Sequence, residues 1–239
     1  MASREEEKRK RREERMAAEA AAAKGAKRQR QLQFLLGAIL TIAVVVGVVI
    51  AVSGGGGSGG KNPSPDQSAG KGAKIPPASN RDLASAAKQA GCVLVSPPDE
   101  GRSHVSTPVK YKSNPPTSGN HNPEPALDGI YSAGNEPTPE HYVHALEHGR
   151  IEFQYKPGTP AAFVSKLETL VSEPLNGKNA YKILMFENNT NMPFQVAATA
   201  WDHYIGCKSI KEPQIFDALR DFRLKYVDKG PEPGIPPNN

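Results

Sequence analysis

The chain has 239 residues, of which 37% are hydrophobic, and its formal net charge is +5 at pH 7. Residues 1–31 contain eleven Lys and Arg against six Glu, so the rest of the chain carries no net charge. This distribution excludes a domain with a broad basic surface for nucleic acid, because the positive surplus belongs to one tail. The length allows one independently folding domain together with flanking segments.

Residues 32–52 form an apolar run, LQFLLGAILTIAVVVGVVIAV. As a helix rising ~1.5 Å per residue, the run would span about 31 Å, which matches the hydrocarbon core of a bilayer. Basic residues are dense before the run and sparse after it, so the positive-inside rule places the N-terminus in the cytoplasm. A cleaved signal peptide is the alternative, with Ala51-Val52-Ser53 as a cleavage site, but the run is long for one. We predict an uncleaved, single-pass anchor in the cell membrane.

Composition divides the chain into five predicted segments. They are a cytoplasmic basic tail (1–31), a transmembrane helix (32–52), a flexible Gly/Ser/Pro linker (53–79), an extracytoplasmic domain (80–230) and a frayed tail (231–239). The basic tail is predicted to lie against anionic lipid, so the membrane is its partner.

Helices and strands follow one another through the extracytoplasmic part. Caps, apolar periodicity and Gly or Pro breaks predict a helix at 81–90, a strand at 92–96, a helix between Thr138 and Gly149, a half-buried strand at 150–156, a helix at 159–172, strands at 181–186 and 195–201, and a helix at 212–227. We predict one α+β domain with a small sheet and packing helices. The stretch 97–137, rich in Pro, Gly, Ser and Asn, is unusually long for an irregular segment unless it is functional or well packed.

The two cysteines, Cys92 and Cys207, both lie in the part predicted to be outside the cell membrane. An even pair in an oxidising compartment favours a disulfide. The chain has no Cys-x-x-Cys sequence, so a thioredoxin-type redox role has no support.

The helix between Thr138 and Gly149 carries three of the six histidines. At ~100° per residue, His141, His144 and His148 fall within about 60° of one another, while apolar residues gather on the opposite side. Glu147 lies beside the histidines. We therefore place the candidate site on this helix.

Three short sequences resemble, in their order, the membrane-anchored bacterial family catalogued as domain of unknown function 3105. They are NPPTSGNH (114–121), VHALEHG (143–149) and TAW (199–201). The resemblance covers about residues 90–230 and implies a cytoplasmic tail, one span and one extracytoplasmic domain. The residues that fall on the family's pattern are His121, His144, Glu147 and His148, whereas His104, His141 and His203 are not carried over. The family implies no activity, so function is argued from the chemistry of these residues.

Our preferred hypothesis is a transition-metal site formed by His121, His144 and His148 with Glu147 alongside. Imidazoles at i and i+4 can chelate one ion, and imidazole suits zinc, copper(II), iron and nickel. One alternative is a structural or binding module without metal, in which the histidines hydrogen-bond turn carbonyls and the domain contacts a protein or cell-envelope polymer.

A second alternative is a zinc hydrolase, because residues 144–148 fit the pattern H-x-x-E-H. Such enzymes need a longer helix and a downstream acidic ligand on a second helix, whereas here Gly149 and a strand follow at once. We assign no catalytic residues.

Overall fold

The computed structural model describes residues 60–66, 73–79 and 82–238. Within these ranges no helix has both the length and the apolar character needed to cross a bilayer. The predicted tail and transmembrane helix, residues 1–52, lie outside the described residues, so the anchor stays a prediction.

The described residues form an α+β fold with four helices and one six-stranded mixed sheet, which confirms the predicted fold class. The helices are α1 (Leu83–Gln89), α2 (Pro139–Glu147), α3 (Ala161–Val171) and α4 (Ile215–Tyr226). The strands are β1 (Cys92–Val95), β2 (Gly129–Ile130), β3 (Ile151–Tyr155), β4 (Ile183–Glu187), β5 (Val196–Ala200) and β6 (His203–Cys207). Their order across the sheet is β1-β6-β5-β3-β4-β2.

Strand β3 lies inside the sheet, parallel to β4 and antiparallel to β5. Helices α1, α3 and α4 cover one face of the sheet in a core that includes Ile151 and Phe153. Helix α2 packs on the other face, where its Tyr142 stacks on Phe186 of β4 with ring centroids 4.9 Å apart. Every residue of β3 is therefore buried, and the prediction of a half-buried strand was wrong.

The predicted disulfide between Cys92 and Cys207 is confirmed. The two residues are direct partners in the antiparallel pair of β1 and β6, so the bond holds the edge strand β1 to the sheet. The bond closes a loop with a sequence separation of 115 residues. In the chain-entropy account, closing a loop of that length stabilises the fold by about 4–5 kcal/mol.

Glu152 of β3 is a buried carboxyl group on the face that α2 covers. Its Oε2 accepts hydrogen bonds from Thr199 Oγ1 (2.6 Å) and Gln154 Nε2 (2.9 Å), while its Oε1 has no hydrogen-bond partner among the described residues. Burial raises the pKa of Glu152 well above the usual 4.5, so the neutral acid is favoured in the folded protein.

We expect Glu152→Gln to flatten the pH dependence of stability. The folded state holds the Glu152 proton more tightly than the unfolded state, so wild-type stability falls as the pH rises above about 4.5 towards the raised folded pKa. Glutamine cannot ionise, and its carbonyl oxygen can accept both hydrogen bonds that Oε2 now accepts. The free energy of unfolding in denaturant, measured at pH 5 and pH 8, should fall less for the variant than for wild type as the pH rises. An equal difference in the free energy of unfolding between variant and wild type at both pH values would contradict the raised pKa of Glu152.

Candidate metal centre

Helix α2 forms where the sequence predicts it. It begins with Pro139 after an extended Thr138, which makes no side-chain capping bond, and it is followed by Gly149 with φ 76°. A Cβ atom at Gly149 would lie 2.8 Å from the Cα of Asp228, so the close approach of the C-terminal segment also requires glycine here.

The irregular stretch 97–137 is packed against α2 rather than structureless. Within it, the Val105 N–H donates to the His121 carbonyl (2.7 Å) and the His121 N–H donates to the Ser103 carbonyl (3.1 Å). These bonds form a parallel bridge that sets His104 beside His121. These backbone bonds therefore bring together two histidines that are separated in sequence.

Two further backbone bonds hold the same stretch on the first turn of α2. The Asn122 N–H donates to the Glu140 carbonyl (3.1 Å), and the Ala126 N–H donates to the His141 carbonyl (2.9 Å). The loop histidines consequently meet the polar side of the helix.

The side chains that meet there form a compact group, which we call the His/Glu cluster. It consists of His104, His121, His144 and Glu147, whose potential ligand atoms all lie within 4.8 Å of one another. The imidazole centroids of His121 and His144 are 4.6 Å apart, and that of His104 is 5.0 Å and 4.8 Å from them respectively. His104 is exposed and the other three are buried, so His104 is the cluster member that contacts solvent.

The protonation state of two imidazoles follows from their hydrogen bonds. His121 Nδ1 lies 2.8 Å from the Gly119 carbonyl oxygen, and His144 Nδ1 lies 2.7 Å from the Asn122 carbonyl oxygen. A carbonyl can only accept, so each Nδ1 carries the hydrogen and each Nε2 of the neutral ring has a lone pair. Metal-ligating histidines have this arrangement, in which one nitrogen donates to a carbonyl and the other binds the ion.

Burial keeps these imidazoles neutral. Burial, with His148 and His121 nearby, lowers the pKa of His144 to about 3, and burial also lowers the pKa of His121. Burial and the nearby Arg150 guanidinium lower the pKa of His148 to about 4. Neutral imidazole is the form that binds a metal ion.

His121 and Glu147 form the innermost contact of the cluster. His121 Nε2 is 3.0 Å from Glu147 Oε2, and the two side chains are 0% and 3% exposed. Despite this distance, their alignment does not make a hydrogen bond, and His121 Nε2 has no other partner among the described residues. Two groups that both accept therefore face each other in a buried site, an arrangement that requires a proton or a cation between them.

His148, which the sequence predicts as a ligand, lies at the margin of the cluster. Its Nε2 is 3.1 Å from His144 Nε2, but it is not one of the four residues whose ligand atoms all approach within 4.8 Å. His148 Nδ1 is buried and has no hydrogen-bond partner among the described residues. The structure thus brings together His121, His144 and Glu147, and adds His104, which sequence reasoning missed.

The remaining two histidines lie elsewhere. His141 Nδ1 contacts the Glu124 carbonyl (2.7 Å), and its Nε2 contacts the Gly60 carbonyl (3.2 Å), so both ring nitrogens are occupied outside the cluster. His203, on strand β6 beside the edge strand β1, has its Nδ1 2.8 Å from Ser96 Oγ. The one-sided histidine stripe therefore contributes His144 to the cluster and His148 to its margin, and not His141.

Comparison with known proteins identifies the family. The family model described as "Protein of unknown function (DUF3105)" matches residues 104–239, a range that includes every member of the His/Glu cluster. Searches of curated proteins and of solved structures each gave no match. The family match covers more than half of the chain and confirms the resemblance drawn from the three short sequences, so this chain belongs to the DUF3105 family.

Proposed function

We propose that the domain binds a transition-metal ion and is held at the cell membrane by an N-terminal anchor. The observation that carries the proposal is the buried, unpartnered His121 Nε2, which faces the Glu147 carboxylate at 3.0 Å. An ion between His121 and Glu147 would satisfy both groups at once. His144 and His104 would complete a donor set of three imidazoles and one carboxylate.

The spacing of the atoms supports a shared ion. Nitrogen and oxygen ligands lie about 2.0–2.2 Å from zinc, so two ligands of one ion are separated by roughly 2.8–3.1 Å in octahedral geometry and roughly 3.3–3.6 Å in tetrahedral geometry. The separation of His121 Nε2 and Glu147 Oε2, 3.0 Å, falls in the octahedral range and is slightly shorter than the tetrahedral one. A small contraction around the ion would bring in the other donors.

The structural alternative accounts for part of the geometry. The carbonyl contacts of His121 and His144 do hold the loop on α2, as a module without metal requires. These contacts use only the Nδ1 atoms, and His144 Nε2 has a further hydrogen bond with His148 Nε2, but the buried His121 Nε2 has no hydrogen-bond partner among the described residues. The metal hypothesis also gives His121 Nε2 a partner.

The donor set favours zinc or copper(II), with iron as a further candidate. Imidazole and carboxylate suit these ions, and zinc and copper(II) stand high in the general affinity order. Thiolate is not available in the described structure, because Cys92 and Cys207 are joined in the disulfide. Copper(I), which prefers sulfur, is therefore the weaker candidate.

The sequence also supports a location outside the cell membrane. Residues 32–52 have the length and composition of a transmembrane helix, and the basic residues before them favour a cytoplasmic N-terminus. The proposed centre would then face the extracytoplasmic space, where it would meet ions or a protein or polymer partner of the cell envelope. For a hydrolase the support is weaker, since β3 follows α2 at once where the H-x-x-E-H pattern would need a longer helix.

The test is the metal content of the full-length chain, purified in detergent without a histidine tag. After incubation with zinc or copper(II) and extensive dialysis, elemental analysis should find about one ion per chain. A chain that retains neither zinc, copper nor iron would leave the structural module as the better account.

A further inference from the structure

The C-terminal segment of the described chain crosses the end of α2 as a strap, which we define as residues 228–238. The Asp228 N–H donates to the Gly149 carbonyl (2.9 Å), and the Glu232 N–H donates to the Glu147 carbonyl (3.0 Å). The strap thus donates hydrogen bonds to two carbonyls near the end of α2, and its own side chains lie next to the His/Glu cluster.

Buried polar groups fix the strap at its far end. The Arg150 guanidinium donates to the carbonyls of Ile235 and Pro236, while its Nε donates to Asp128 Oδ1 at 2.9 Å. Asn238 and Asp128 exchange hydrogen bonds of 3.0 Å and 3.1 Å. The sequence predicts a frayed tail at 231–239, whereas Glu232, Ile235, Pro236 and Asn238 have hydrogen bonds to the rest of the domain.

The strap places the Glu232 carboxylate beside the marginal histidine. Glu232 Oε2 is 3.4 Å from His148 Nε2, which is in turn 3.1 Å from His144 Nε2. The Glu232 side chain is 55% exposed and that of His148 is 11% exposed. A continuous row of potential ligands therefore runs from solvent to the cluster.

The rings of this row are held differently. His144 is tied at Nδ1 to the Asn122 carbonyl, which fixes its orientation. His148 is held at Nε2 instead, by its hydrogen bond with His144 Nε2 (3.1 Å), and its buried Nδ1 lacks a hydrogen-bond partner among the described residues. Since His144 Nε2 accepts in this bond, His148 Nε2 carries its hydrogen, and that hydrogen moves to the unpartnered Nδ1 when Nε2 binds an ion.

We infer that His148 and Glu232 form an outer donor pair that shares His144 with the enclosed set, so that a single ion passes between the two positions. His144 Nε2 has one lone pair and can bind one ion at a time, so the two sets cannot both use it. The outer pair takes an ion from solvent and transfers it inward, and release follows the reverse path. This inference rests on the proposed function and assigns the domain to ion uptake and transfer.

The test is the rate of zinc exchange, measured on the full-length chain by stopped flow with a coloured zinc chelator. Glu232→Gln should slow both uptake and release by about tenfold, because the ion loses its first ligand on the path. Glu147→Gln should act in the opposite direction on release and speed it, because the enclosed set loses a permanent ligand. The control Glu212→Gln makes the same charge change at an exposed residue just before α4, and it should leave both rates as in wild type.

Several outcomes would overturn the inference. Faster zinc release from Glu232→Gln would make Glu232 a permanent ligand. Unchanged rates would show that Glu232 is not on the path of the ion. Two zinc ions per wild-type chain would show that the two donor sets bind independently. A wild-type chain that binds no zinc, copper or iron would refute the proposed function itself, so the two failures are distinguishable.

Discussion

Replacing His121 and His144 together with alanine is expected to lower zinc affinity by more than about 100-fold while the chain remains folded. Loss of an outer partner of a metal ligand alone weakens binding about 10–100-fold, so loss of two direct ligands should exceed that range. Folding should survive because the variant keeps the apolar clusters of the sheet and helices and the backbone hydrogen bonds that hold the loop on α2. Competition with a chelator of known affinity gives the change in binding, and circular dichroism checks the fold.

The matched control is His141→Ala, which removes an imidazole from the same helix outside the cluster. It should bind zinc as wild type does. Equal loss in both proteins would mean that the variants act through the fold of α2. Full binding by the double variant would place any metal site elsewhere in the chain.

Replacing Arg150 with alanine is expected to destabilise the domain by about 3–5 kcal/mol. The Arg150 and Asp128 side chains are 0% and 1% exposed, and their ion pair spans 2.9 Å. Burial raises the pKa of Asp128 and the Arg150 charge opposes that shift, so loss of the guanidinium leaves a buried carboxylate without its cation. The free energy of unfolding in denaturant measures the effect.

The control for Arg150 is the double variant Arg150→Met, Asp128→Leu. Replacing both partners with apolar groups avoids the unpaired buried charge, so part of the stability should return, while the loss of the Arg150 bonds to the Ile235 and Pro236 carbonyls remains. A loss below about 1 kcal/mol in Arg150→Ala would contradict the role given to this pair.

The helices and the central strands were predictable because their signals are local. Thr138, Pro139 and Gly149 delimit α2, and the structure places the helix between the first and the last of them. Strand β2 has two residues, too few for a pattern, and β6 begins directly after a turn at Asp202 with φ 58°. Neither strand was predicted from the sequence.

The candidate site was predictable only where one helix carries it. The spacing of His144, Glu147 and His148 indicates a shared face, and His121 came from the resemblance to the family. His104 enters through pairing between two parts of an irregular loop, and Glu232 enters through the strap. Such contacts between distant positions have no periodic signal in the sequence.

The burial of the polar residues of β3 was also not predictable from the local sequence. Glu152 alternates with apolar neighbours and therefore looks exposed, but α2 and the loop before it cover that face of the sheet. A local pattern cannot show that a second layer is present.

The central claim is that one ion is bound by imidazoles and a carboxylate of the His/Glu cluster. X-ray absorption spectroscopy at the zinc edge, on the zinc-loaded full-length chain, tests it most directly. The account predicts three imidazole nitrogens and one carboxylate oxygen at about 2.0–2.2 Å from zinc, and loss of the imidazole signal in the His121→Ala, His144→Ala double variant. A first shell of oxygen alone, or an unchanged spectrum in that variant, would contradict it.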